Sequence, residues 1–163
     1  MHWQLIADSL REELAEYGAL LGLFEQQQQS LFARDPDAVL RLGSKIEDQA
    51  RILQACRQSR ERAAADLALS FGQPANATLR SLLPHIEPAA RPLLESLIDE
   101  INHLLHRVRR SSRQNHTLIA RTLDLHQELL SQLCPGAFVK TYAANGRTSL
   151  ATGSPMPSLQ AAG

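Results

Sequence analysis

The sequence predicts an all-α fold, an antiparallel bundle of three long, coiled-coil-like helices with a short connector helix and a flexible C-terminal tail. Leu, Ala, Gln, Glu and Arg dominate the 163 residues, and these are good helix formers. Apolar residues recur at alternating steps of three and four, which is the heptad spacing of helices that pack on one another. Each stripe is apolar on one side only, so the helices have to bury one another within a single domain.

The first predicted helix runs from Trp3 to about Arg34. The residues Gln26–Gln29 interrupt its seam and place an amide near Gln28, which either fixes the register of the helices or is exposed. The apolar positions of this seam are Trp3, Ile6, Leu10, Leu14, Tyr17, Leu21, Phe24 and Leu31.

The second predicted helix begins at the stretch "DPDAV". Asp35 can cap it, Pro36 suits its first position, and Asp37 suits the positive end of the helix dipole. Gly72 is a natural stop, with Pro74 just beyond. Because so few residues join the first two helices, we expect an antiparallel hairpin.

A structured, proline-containing connector follows, with one short helix between Ala77 and Leu83. The third long helix is predicted from about Pro92 to Leu133, where "CPG" ends it. Its seam contains a polar layer, which is either an ordinary buried layer or a device that specifies register. The polar positions are Ser111 or Ser112, Asn115 and Thr122.

The sequence predicts a helical bundle domain over residues 1–134, followed by a flexible, partner-binding tail over residues 135–163. The residues after Gly146 are mostly small or turn-forming. They cannot bury enough apolar area to offset the entropy of ordering, so we expect no regular structure there in isolation.

The charge balance argues against a nucleic-acid binder. Acidic and basic residues number 17 each, whereas phosphate binding needs a basic excess. The run Arg107–Arg113 contains four arginines, but simple solvation or a charge match with the acidic first helix explains it more readily. The acids of that helix are Asp8, Glu12, Glu13, Glu16 and Glu25.

No leader or membrane span is expected either. The first residues lack the basic start and apolar run of a signal peptide, and no apolar run approaches membrane length. Cys56 and Cys134 lie in no metal or redox spacing and are interpreted as reduced thiols. We therefore expect a soluble cytoplasmic protein without stable membrane insertion.

The chain carries no recognisable catalytic, cofactor-binding or metal-binding motif. It has no glycine-rich phosphate loop and no nucleophile or zinc signature. His103 and His106 lie three residues apart, but two exposed histidines are the simpler interpretation. We predict no enzyme, no cofactor and no metal.

The end of the third helix carries a dense series of large hydrophobic residues. Leu125, Leu129, Leu130 and Leu133 run into Phe138, Val139 and Tyr142. Such a surface is either folded back on the core or kept for a partner, and the residues alone leave both possibilities open.

Four stretches, in their order and spacing, resemble the FlgN family of flagellar type III export chaperones. They are "LREELAEYGALLGLFEQQQQSL", "FARDPDAVLRLGSKIEDQARIL", "RQNHTLIARTLDLHQELLSQL" and "TYAANGR". The resemblance covers about residues 3–147. His116 after Asn115 and the proline-rich connector depart from the pattern.

The resemblance implies a binding protein for the C-terminal amphipathic helices of hook-associated proteins such as FlgK and FlgL. Such a chaperone keeps them from polymerising and delivers them to the flagellar export gate. Tyr142, with Gly146 in the following turn, matches the gate-docking segment. The residues that match the client-binding region are Ile119, Leu125, Leu129, Leu130, Leu133, Phe138 and Val139.

Two other interpretations stay open on the residues alone. One is a coiled-coil scaffold or adaptor protein that self-assembles through its seams. The other is a nucleic-acid-associated bundle that uses Arg107–Arg113, which would show salt-sensitive binding.

Overall fold

The structure, a computed structural model, describes residues 2–133, 138–142 and 148–152, and it confirms the predicted bundle of three long helices. The chain divides into two compact units, Met1–Thr117 and Leu118–Gly163. The elements in order are α1 His2–Phe32, α2 Pro36–Ser70, α3 Leu79–Leu82, a 3-10 turn Leu83–His85, α4 Arg91–Leu133, β1 Phe138–Tyr142 and β2 Thr148–Thr152.

Three residues join α1 to α2. Arg34 takes a left-handed φ of 55°, and the Asp35 amide donates to the carbonyl oxygen of Ser30 at 3.0 Å, which closes a Schellman motif. The Asp35 carboxylate then accepts from the Ala38 amide at 2.9 Å, and Pro36 opens α2. The predicted cap and helix start are therefore confirmed.

The other end of α2 also ends in a Schellman motif, with a glycine at the left-handed position. Gly72 has φ 67°, and the Gln73 amide donates to the Ala68 carbonyl oxygen at 2.8 Å. The predicted stop at Gly72 is confirmed.

Side-chain contacts fix an antiparallel register between α1 and α2. The Gln27 amide nitrogen donates to the Val39 carbonyl oxygen at 3.5 Å, and the Gln49 amide nitrogen donates to the Glu16 carbonyl oxygen at 3.3 Å. The contact nearer the start of α1, at Glu16, is made by the residue nearer the end of α2, Gln49, so the two helices run in opposite directions. The predicted hairpin is thus confirmed.

One continuous core runs through the bundle and the connector. Trp3, half-buried, packs against it, and the Arg91 guanidinium ties the connector to α4 by donating to the Pro84 and Ile86 carbonyl oxygens at 2.8 and 2.9 Å. The buried core residues are Ile6, Ala7, Leu10, Tyr17, Leu20, Leu21, Leu53, Ala64, Leu67, Ala68, Leu82, Leu83, Ile86, Ala90, Leu94, Ile101, Leu104 and Val108.

The second unit contains a β-hairpin that the sequence analysis did not predict. β1 and β2 pair antiparallel, with Phe138 opposite Thr152 and Tyr142 opposite Thr148. Regular structure was not expected after Gly146, but antiparallel pairing satisfies the backbone groups locally, and valine and threonine are frequent in strands.

Candidate functional site

The terminal segment of α4, residues 118–133, exposes five large hydrophobic side chains. Leu123, Leu125, Leu129, Leu130 and Leu133 are between 46% and 77% exposed. On the same helix, Leu94 is only 1% exposed. A contiguous apolar stripe that stays exposed is the usual mark of an interaction surface.

These leucines lie on one side of the helix together with four other residues. At 3.6 residues per turn, the spacings of three, four, seven and eleven place them in one broad stripe. We call this stripe the terminal face. Its members are Leu118, Ile119, Thr122, Leu123, Leu125, His126, Leu129, Leu130 and Leu133.

The two polar members of the terminal face are bonded to their own helix. The Thr122 hydroxyl donates to the Leu118 carbonyl oxygen at 2.9 Å, and His126 Nδ1 lies 2.7 Å from the Thr122 carbonyl oxygen. Both bonds use groups of the same helix, so they need no partner molecule.

The acidic side chains of the terminal segment lie away from the terminal face. By helical spacing, Asp124 and Glu128 fall on the opposite side of α4, whereas Arg121 lies at a border of the face, one turn from Leu118 and Leu125. The borders also carry uncharged residues such as Gln127 and Gln132. A surface built in this way suits a partner whose contact area is also poor in charge.

The structure places the predicted client-binding residues in two groups. Leu125, Leu129, Leu130 and Leu133 are exposed on the terminal face, and Ile119 is half-buried on it. Phe138 and Val139 belong to β1, opposite Thr152 and Ala151. Leu123 is a member that the prediction missed, although its spacing from Ile119 and Leu130 signals it.

The predicted docking residues are only partly described. Tyr142 is the last residue of β1 and pairs with Thr148 of β2. Gly146 and the predicted turn at Asn145–Gly146 lie outside the described residues. Their role stays a prediction.

An amide network joins the three long helices just before the terminal segment. Asn115 Nδ2 donates to the Phe24 carbonyl oxygen at 2.7 Å and to Gln27 Oε1 at 3.2 Å, while Gln27 in turn bonds Val39. Among the described residues, Asn115 Oδ1 has no hydrogen-bond partner although it is buried. The network ties α4 to α1 and α2 at one level.

The predicted polar layer is therefore narrower than expected. Asn115 is buried, but Ser111 and Ser112 are half-buried and Thr122 is exposed. The buried amide of α1 is Gln27, one residue before the predicted Gln28. The actual helical repeat differs by one residue from the predicted one. Because residues 26–29 are all glutamine, the sequence could not show which of them would be buried.

An ion pair with a buried carboxylate links α1 to α2 in the middle of the bundle. Glu13 is 1% exposed, with Arg60 Nε at 2.5 Å from one carboxylate oxygen and Arg57 Nε at 4.0 Å from the other. The burial of Glu13 was not predicted from the sequence. Its burial depends on an arginine 47 residues away, which helical spacing alone does not reveal.

Two titratable groups near this pair have shifted pKa values. Burial raises the pKa of Tyr17, and the charge of Arg57 opposes that shift. Burial also raises the pKa of the half-buried Cys56 thiol, and the nearby carboxylates of Glu16 and Glu12 add to the effect. Both groups therefore favour their neutral forms. Cys134 lies outside the described residues.

The arginine run of α4 makes one contact with the acidic first helix. Arg107 Nη2 lies 3.7 Å from Glu25 Oε1, with both side chains about half exposed. Of the two interpretations of the arginine run, the charge match is observed at this position. Arg109, Arg110 and Arg113 are exposed.

Neither a metal cluster nor a membrane span is seen in the part of the chain that the structure describes. His103 and His106 are exposed, and no group of three or more histidine, cysteine, aspartate or glutamate side chains is placed to hold a metal ion there. Within the same residues, no helix combines the length and apolar character that a membrane span requires.

The chain matches a protein-family model over most of its length. The family model described as FlgN protein matches residues 1–149, a range that contains the whole terminal face as well as Tyr142 and Gly146. Searches of curated proteins and of solved structures give no match. Because the family match covers most of the chain, the chain belongs to the FlgN family, which is a family of flagellar export chaperones.

Proposed function

We propose that the chain is a cytoplasmic chaperone that binds the C-terminal amphipathic helices of hook-associated proteins of the FlgK and FlgL kind. It prevents their premature polymerisation and delivers them to the flagellar export gate. Membership of the FlgN family supports this role in general. The observation that carries the finer proposal is the terminal face, where five leucines stay 46–77% exposed, whereas Leu94 and Leu104 earlier on the same helix are buried.

The chemistry of the terminal face fits an amphipathic helix as the client. A subunit helix that packs against its copies in a polymer exposes an apolar stripe while it is monomeric. Two such stripes cover each other through anchors at spacings of three, four and seven residues. Burial of one exposed leucine contributes about 1.5–3 kcal/mol, from which the cost of association is deducted, so the complex can be both stable and reversible.

Within this proposal, Leu125, Leu129, Leu130 and Leu133 form the centre of the client surface. Ile119 borders it, because it is already half-buried. Phe138 and Val139 extend the surface into β1. Tyr142 and Gly146 belong to the segment that docks on the export gate.

The test of the client surface is a calorimetric titration of the purified chain with a purified hook-associated protein. The double variant Leu125→Asp/Leu129→Asp should weaken binding at least about 100-fold, because each charge would be buried in an apolar contact. Leu40→Asp is the matched control, since Leu40 is also largely exposed but lies on α2. It should bind as the wild type does.

Circular dichroism of both variants verifies that the helices are intact. The same hook-associated protein without its C-terminal helix should not bind. If the Leu125→Asp/Leu129→Asp variant bound the full client at wild-type strength, the terminal face would not be the client surface.

The docking role is tested by Tyr142→Ala, assayed for export of a hook-associated protein in cells and for client binding in vitro. We expect export to fall while client affinity stays within about threefold. Phe138→Ala should instead weaken client binding in vitro, because Phe138 is proposed to belong to the client surface. Loss of client affinity in Tyr142→Ala would place Tyr142 in the client surface instead.

The proposed division into residues 1–134 and 135–163 is tested by truncation. A chain of residues 1–134 should keep nearly all its helicity, since the described strands are the regular elements it loses. It should lose client binding if the tail contributes as proposed. Sedimentation at several concentrations tests the alternative of a self-assembling scaffold, which would give a stable higher oligomer.

A further inference from the structure

His126 lies in the middle of the terminal face and is surrounded by it. Its neighbours one and two turns away are all members of that face, and the ring itself is exposed. Those neighbours are Ile119, Thr122, Leu123, Leu129, Leu130 and Leu133. A helix that covers these residues also covers the imidazole.

The contact with Thr122 determines which ring nitrogen carries the proton. His126 Nδ1 lies 2.7 Å from the Thr122 carbonyl oxygen, and a carbonyl oxygen can only accept. Nδ1 is therefore the donor. In the neutral ring this leaves Nε2 as an acceptor, and among the described residues no group donates to it.

A partner helix must supply a hydrogen-bond donor to His126 Nε2. Water serves Nε2 in the free protein, but a helix packed on the terminal face displaces that water, and a buried acceptor without a donor weakens the complex. Asp124 and Glu128 lie on the opposite side of α4 and Arg121 lies at a border, so no charged side chain of the segment lies at the centre of the terminal face. At the centre of this face, a hydrogen bond to His126 Nε2 can therefore distinguish one partner helix from another.

Building on the proposed function, we propose that His126 determines the register and the specificity of client binding. The client helix presents one hydroxyl or amide donor, from Ser, Thr, Asn or Gln, within an otherwise apolar stripe and opposite Nε2. A single polar pair inside an apolar seam fixes the register of two helices, because every shifted alignment leaves both polar groups unpaired. The chaperone thereby distinguishes its client from helices that are apolar throughout.

The test compares three variants by calorimetric titration with a purified hook-associated protein. All titrations are run at pH 8. His126→Leu should weaken binding about 10- to 100-fold, because the client donor loses its acceptor. His126→Gln offers an amide oxygen at similar reach and should stay within about fivefold. His116→Leu changes an exposed histidine of α4 outside the terminal face and should have no effect.

The sign of the His126→Leu effect decides the proposal. A leucine on an apolar face adds contact area, so if no donor lay opposite Nε2 the variant would bind as tightly as the wild type or more tightly. That result would overturn the proposal.

A double-mutant cycle identifies the donor on the client. Each Ser, Thr, Asn and Gln in the apolar stripe of the client helix is changed to an apolar residue of similar size. One of these changes should weaken binding to the wild-type chaperone and cause little further loss with His126→Leu. If none couples with His126, the proposal is wrong.

The Leu125→Asp/Leu129→Asp variant separates this inference from the proposed function. If it abolishes binding and His126→Leu does not weaken binding, the client surface stands and only the role of His126 fails. If the double variant binds normally, the terminal face is not the client surface and both proposals fall.

Discussion

The two segments of α4 have the same amino-acid pattern and opposite surroundings. The first segment, Arg91–Thr117, buries Leu94, Ile101, Leu104 and Val108, whereas the terminal segment, residues 118–133, buries no leucine. Both repeat large hydrophobic residues at steps of three and four. The comparison shows that periodicity predicts an apolar stripe but does not tell whether the chain itself or another molecule covers it.

Because they differ in burial, the two segments contribute to different processes, one to folding and the other to association. Burial in the first segment contributes to the folding of the bundle, because its side chains belong to the core that α1, α2 and the connector share. Exposure in the terminal segment keeps apolar area available for association. The following four predictions test this separation, beginning with the largest effect.

Truncation of a leucine should destabilise the two segments very differently. Leu94→Ala should lower the free energy of unfolding by about 3 kcal/mol, because Leu94 is 1% exposed and its removal leaves a cavity. Leu129→Ala should change it by less than about 0.5 kcal/mol, since this side chain is largely exposed. Urea unfolding followed by circular dichroism measures both. Equal losses would mean that the terminal segment is part of the folding core.

Hydrogen exchange should separate the two segments along one helix. Amides of residues 118–133 should exchange through openings whose free energy is about 2 kcal/mol or more below that of residues 98–117, because few buried contacts hold the terminal segment. A saturating client should raise the protection of the terminal segment only. Uniform protection along α4 without client would contradict the comparison.

The amide network marks the last buried level of the first segment. Asn115→Ala should lower the free energy of unfolding by about 1–2 kcal/mol, because Gln27 Oε1 loses its donor in a buried site. Asn102→Ala is the matched control on the same helix, since Asn102 is exposed, and it should stay within about 0.5 kcal/mol. A neutral Asn115→Ala variant would show that the network adds no stability.

The smallest effect is expected at the turn between α1 and α2. Arg34→Gly should raise the free energy of unfolding by about 0.5–1 kcal/mol, because Arg34 holds a left-handed φ of 55° that glycine adopts without strain. Gly72→Ala should act in the opposite direction by a similar amount. The gain should appear in the exchange of the first segment of α4, whereas a gain in the terminal segment would show that the two are coupled.

Much of the fold could be predicted because local chemistry determines it. Asp35 and Pro36 begin α2, Gly72 ends it, and α4 runs from Arg91 to Leu133, as the sequence indicated. Caps, prolines and glycines act within one helical turn, so a single sequence contains the information. The terminal leucines of the candidate site were also predictable, since their spacing is regular.

The rest depends on residues that are distant in sequence. The burial of Glu13 follows from Arg60 on another helix, and the choice of Gln27 over Gln28 follows from the positions of Asn115 and Val39. The left-handed turn at Arg34 was not predictable, because arginine is not a residue that favours that conformation. The orientation of His126 required the distance to the Thr122 carbonyl oxygen, which no sequence pattern supplies.

The location of Trp3 gives the protein a built-in optical probe. Trp3 is the one tryptophan of the chain, and it packs half-buried against the core of the bundle. Its fluorescence emission should therefore shift to longer wavelength when that core unfolds. Trp3 is part of α1 and not of the terminal face. Trp3 emission therefore reports the unfolding of the bundle. A dye attached near Leu130 would report the occupancy of the terminal face, so the two events can be measured independently.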